Sequence, residues 1–131
     1  MRWAAAPVAG LAVALVACGG STPPSYDRYG LVECLQQNGA SIEESLIDTV
    51  FQRLSQYADS SFIARIQAQH IAFLFEADAD EAQTAKRILE QAHDPFIMLD
   101  QRGNVIIAHD PHTTKGALRI TDACMADATK T

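Results

Sequence analysis

Ile71-Ala72-Phe73-Leu74-Phe75 is an unbroken apolar run between His70 and Glu76, and it constrains the fold more than any other stretch of the chain. Successive side chains of a strand point to opposite faces of a sheet, so such a run needs cover on both faces. It is short for a helix and the right length for a buried strand. The run therefore predicts a central strand.

Two further apolar segments, Phe96-Ile97-Met98-Leu99 and Val105-Ile106-Ile107-Ala108, flank Asp100-Gln101-Arg102-Gly103-Asn104. This pattern predicts a hairpin, with Asp100 favouring the turn start and Gly103 supplying a positive φ. Phe62, Ala64 and Ile66 alternate as in a strand, although Phe62, Ile63 and Ile66 also fit a helical turn. A short irregular strand is the preferred reading.

Four helices complete the pattern. The first, over residues 26–38, is capped by Ser25 or Asp27, carries Leu31, Cys34 and Leu35 on one face, and stops at Asn38-Gly39. The second starts at the capping box Ser41-Ile42-Glu43-Glu44 and runs to about Tyr57, with Leu46, Ile47, Val50 and Leu54 at helical spacing. A third runs from Asp78 to about His93, burying Ala82, Ala85, Ile88, Leu89 and Ala92 before Asp94-Pro95 ends it. Asp110-Pro111 starts the last, which carries Ala117, Ile120 and Cys124 along one stripe. The order is helix, helix, strand, helix, strand, strand, helix. It predicts an α+β domain in which a right-handed strand-helix-strand crossover is followed by a hairpin. The expected sheet is small and mixed, with three strands, or four if residues 62–66 join, and helices packed mainly on one face.

The N-terminus carries an address. Met1-Arg2-Trp3 is a short basic start, and residues 4–17 are apolar and uncharged. That is a signal-peptide pattern; at roughly 14 residues the run falls short of the roughly 20 a membrane-crossing helix needs. The run ends in Leu15-Val16-Ala17-Cys18, which resembles the lipobox of bacterial lipoproteins. The resemblance implies cleavage before Cys18, fatty acylation of its thiol, and an extracytoplasmic domain anchored to the cell membrane through that lipid. Residues 1–17 are then a signal peptide and 18–25 a lipidated tether, Gly- and Pro-rich and with nothing to bury. Residues 26–126 form a single globular domain, and 127–131 a tail.

The same resemblance accounts for an odd number of cysteines. With Cys18 acylated, Cys34 and Cys124 remain as a pair in an oxidising compartment, where a disulfide between them is expected. The other reading is two buried free thiols. A looser resemblance covers most of the remaining chain. Cys34-Leu35-Gln36-Gln37-Asn38-Gly39, a strand with an acidic Ala-rich helix over 71–89, Gly103-Asn104-Val105-Ile106-Ile107 and a closing Cys124-Met125 look like small exported lipoproteins of actinobacteria. That likeness implies a compact domain with its terminal cysteines paired, and carries over no catalytic residue.

Chemistry is sparse. Sixteen acidic against ten basic side chains give a net charge of −6, which argues against nucleic acid and against an electrostatic grip on anionic lipid. His109-Asp110-Pro111-His112 could hold a transition metal if His70 or His93 came near, or could be a helix cap flanked by solvated histidines. Asp78, Asp80 and Glu81 lack the glycine and spacing of a calcium loop and suit a helix N-terminus. There is no Gly-x-Ser-x-Gly, no Cys-x-x-Cys and no phosphate-cradling glycine loop, so neither catalytic residues nor a cofactor are expected. Tyr57, Phe73, Phe75, Phe96 and Met98 could line a ligand pocket, but their periodicity suits ordinary core. The expectation is a non-enzymatic, lipid-anchored module that binds an envelope protein or ligand. A small-ligand or lipid carrier is the alternative, and a His-dependent metal-binding protein a third.

Overall fold

The computed structural model describes residues 25–43, 60–92 and 97–128. In chain order these form α1 (Arg28–Gln37), β1 (Ser41–Glu43), β2 (Ser60–Ile66), β3 (Gln69–Phe75), α2 (Ala79–Gln91), β4 (Met98–Arg102), β5 (Val105–His109) and α3 (Lys115–Ala128). The class is α+β, as expected. Outside the described residues lie Cys18 and the tether to Pro24, the expected second helix from Glu44 to Tyr57, and the stretch from His93 to Phe96.

The strands form one sheet in the order β1-β2-β3-β5-β4, with β3 in the middle. Every neighbouring pair is antiparallel, so the sheet is larger than expected and not mixed. β4 does follow β3 through α2 and runs in the same direction, but β5 folds back between them. With β2 antiparallel on one edge of β3, the β5 arm of the β4–β5 hairpin adds an antiparallel ladder on the other.

One difference lies at Ser41-Ile42-Glu43, expected as a helix start. These residues pair instead with β2, Ser41 opposite Arg65, Ile42 opposite Ala64 and Glu43 opposite Ile63. In this register Ile42 packs on the same apolar layer as Ala64, a gain that the local capping pattern cannot offer. The last helix also starts later than expected. Asp110-Pro111 does not begin it; Thr114 does, its hydroxyl accepting from the Ala117 amide at 3.3 Å and its carbonyl from the Leu118 amide at 3.1 Å. At its other end α3 continues through buried Ala128, past the expected domain limit at 126.

Alternation along the strands divides the core into two layers. Phe62, Ile71, Phe73 and Ile107 face α1 and α3, meeting Leu31 and Leu35 of the first and Ala117, Cys124 and Met125 of the second. Ile63, Ala72, Leu74, Ile106 and Ala108 face α2 through Ala82, Ala85 and Leu89. Among the described residues two helices thus cover one face and one helix covers the other, so the helices are not confined to one side. Phe62 stacks on Phe73 at 5.1 Å between ring centroids, and the Arg28 guanidinium lies 5.3 Å from the centroid of Phe62.

The two hairpins turn by different means. At β4–β5 the loop is Gly103-Asn104 alone, and Gly103 takes φ +55°. Asp100, expected to start the turn, instead lies within β4. Asn104 then serves as a tie: its Oδ1 accepts from the Tyr26 amide at 2.9 Å, its Nδ2 donates to the Glu76 carbonyl at 3.2 Å, and its carbonyl accepts from the Glu76 amide at 2.8 Å. At β2–β3 the loop is Gln67-Ala68, with φ of 51° and 64°. Left-handed backbone at both central residues is the type I′ geometry that normally recruits Asn-Gly. A Cβ penalty of about 1 kcal/mol is expected at Ala68. Ala68→Gly should therefore raise stability by about 1 kcal/mol, read as an increased urea midpoint at unchanged slope.

Candidate functional site

Cys34 lies in the middle of α1, held there by a helix that Asp27 caps through the amides of Tyr29 and Gly30 and that Gly39 ends at φ +87°. Cys124 lies on the buried stripe of α3. The two are joined as a disulfide with Cα atoms 5.5 Å apart, across 90 positions of sequence. Their surroundings differ: Cys34 is partly buried, whereas Cys124 has no solvent exposure. Asn38 adds a feature that the sequence reading missed, having assigned it only to the helix stop. Its Nδ2 donates to the Cys34 carbonyl at 2.8 Å and lies 3.8 Å and 3.7 Å from the sulfurs of Cys34 and Cys124. Its spacing of four from Cys34, one helical turn, was the available signal.

Among the described residues the histidines do not converge; His93, the other candidate third ligand, lies outside them. His109 ends β5 opposite Ile71, so it shares the α1–α3 side of the sheet with that residue. His70, adjacent to Ile71, points to the other side, where its Nε2 is 3.8 Å from Glu43. Asp110 closes a turn, its Oδ1 accepting from the His112 amide at 2.7 Å and lying 3.2 Å from the His112 Nδ1. The His112 backbone hydrogen bond, with smaller contributions from the His112 and His109 imidazoles, holds the Asp110 carboxyl below its ordinary range. Among the described residues no three His, Cys, Asp or Glu side chains are grouped as a metal shell requires.

The acidic segment has a structural role. Asp78 caps α2, its Oδ1 accepting from the Glu81 amide at 2.8 Å. With Glu76, Asp80, Glu81, Thr84, Ala85 and Ile88 it lines an open cleft of about 400 Å³. Ile88, expected in the core, is instead 40% exposed there. Of the residues expected for an apolar pocket, Phe73 and Phe75 are core, stacked with Phe62, while Met98 is exposed on edge strand β4. At the opposite end of β4, Arg102 bridges Asp100 on its own strand and Asp122 on α3. Partial burial opposes the Arg102 charge, but these two carboxylates outweigh it and raise its pKa.

No protein-family model, curated protein or solved structure matches the chain.

Two outcomes follow from this geometry. Replacing both Cys34 and Cys124 by Ser should lower stability by about 4 kcal/mol, because the bond closes a long loop in the unfolded chain; urea unfolding without reductant measures it. The lowered Asp110 pKa has a definite sign. Its contribution is complete above the unfolded carboxylate pKa and is lost as pH falls through the lower folded value. Asp110→Asn retains an acceptor but cannot titrate, so between about pH 5 and pH 2 its urea midpoint should fall less than that of the parent chain.

Proposed function

We propose that the chain is a lipid-anchored extracytoplasmic module without enzymatic activity, which binds a protein or other component of the cell envelope through its surface. The observation that carries this reading is the Cys34–Cys124 bond. It accounts for two of three cysteines and leaves Cys18, the one that closes the lipobox-like Leu15-Val16-Ala17-Cys18, for acylation.

Two features of the fold support the arrangement. Tyr26 is fastened to Asn104, so the tether would leave the domain beside the β4–β5 turn and Glu76. Glu76 also lines the acidic cleft, so anionic headgroups would repel that end. The lipid, not charge, would do the holding. Among the described residues no helix is long and apolar enough to cross a membrane. The stacked rings of Phe62, Phe73 and Phe75 support recognition by an outer surface over carriage of a ligand inside.

Cys18→Ala tests the reading. The expected result is loss of fatty-acid label from the protein and its move from the membrane fraction to the soluble extracytoplasmic fraction. Retention in the membrane with export intact would defeat it.

A further inference from the structure

We propose that the Cys34–Cys124 bond is an exchange site for an external dithiol, attacked at the Cys34 sulfur alone, with Asn38 as the positioning residue that stabilises the departing Cys124 sulfur. This goes beyond the anchoring reading and does not depend on it.

The argument begins with access. Thiol–disulfide exchange requires a thiolate to approach one sulfur in line with the S–S bond, and the other sulfur departs with the bonding electrons. Cys34 is on a helix face that reaches solvent, flanked by exposed Glu33 and by Asn38. Cys124 is fully enclosed. Cys34 is the partly buried member of the pair, so its sulfur is the more accessible to a nucleophile from outside, while the second could be approached only through the packed layer between α1, α3 and the sheet.

Departure is the second part. A thiolate left in an apolar layer is unfavourable, which slows exchange unless a donor meets it. Asn38 Nδ2 is such a donor, 3.7 Å from the Cys124 sulfur and held in place by its hydrogen bond to the Cys34 carbonyl. In the step, the incoming thiolate bonds to the Cys34 sulfur, the S–S bond breaks, and Cys124 leaves as a thiolate that then takes a proton from water. The second thiol of the partner, deprotonated, attacks the partner's own sulfur in the mixed disulfide. This releases Cys34 as a thiolate, which takes up a proton, and the partner departs as a disulfide. The protein's pair is reduced by two electrons and the partner oxidised by two; the reverse sequence makes the bond. The matching partner is a dithiol–disulfide exchange protein, and its mixed disulfide forms at Cys34.

The test uses the full chain carrying Cys18→Ala, so that the pair is the sole sulfur target among its cysteines. Folded protein is treated with glutathione, quenched in acid, alkylated and mapped by peptide mass spectrometry. Glutathione on Cys34 with alkylated Cys124 is expected; glutathione on Cys124 overturns the proposal. A second measurement follows reduction by dithiothreitol in Asn38→Ala. If Asn38 only ends α1, its loss loosens the helix end and speeds reduction. As a donor to the departing sulfur, its loss slows reduction about five- to tenfold. Faster or unchanged reduction therefore overturns its role. Asn38→Asp, similar in size but anionic, should be slower still at neutral pH and recover towards the Ala rate as the carboxyl is protonated. An Asp rate equal to or above the Ala rate at neutral pH would count against the donor.

Discussion

The two-sided burial of β3 is the constraint from which the rest of the architecture follows. Its apolar run sends Ile71, Phe73 and Phe75 to one face and Ala72 and Leu74 to the other. Each large side chain removed from water contributes roughly 1.5–3 kcal/mol, but only if both faces are covered. α2 supplies one cover, and α1 with α3 the other. Both edges of β3 must be paired as well, since its amides and carbonyls are out of reach of water. β2 and β5 pair them, each folded back by a two-residue turn.

The α1–α3 layer joins the two ends of the domain, and a core of this size leaves such a layer little margin. Three covalent or polar fasteners hold it. The disulfide links the helices, Arg28 covers Phe62 from α1, and Arg102 reaches from the sheet to Asp122 on α3. Asn104 adds a fourth link at the point where the chain enters the fold. The disulfide is also the one with chemistry of its own, because its two cysteines sit in unlike surroundings and share one amide donor.

Candidate chemistry was only partly legible in the sequence, for a geometric reason. Sequence proximity places His109, Asp110 and His112 together, and they do meet, but as a turn closed by a carboxylate. Whether His70 could join them depended on which face it takes, which is fixed by strand register and not by local pattern. Ile88 and Met98 fit apolar periodicities yet emerge at a cleft and an edge, because periodicity says which residues share a side but not whether that side is covered along its whole length. Asn38 was legible as a helix stop. Its place over two sulfurs required the partner helix to be known.

By itself the sequence determined the local elements whose signals are intrinsic to a few residues. These are the central strand at 71–75, the α2 start at Asp78, the α1 stop at Asn38-Gly39, the Gly103 turn, and, through the lipobox-like resemblance, the expectation of a cysteine pair. Only the tertiary structure decided which strand lies beside which. The β2–β3 hairpin was hidden because Gln67-Ala68 carries none of the residues that favour left-handed backbone, and pairing of the flanking strands imposes that conformation instead. Ser41-Ile42-Glu43 read as a helix cap because capping is a contact over three residues. It became a strand because β2, distant in sequence, offers hydrogen bonds and an apolar face that no local signal encodes.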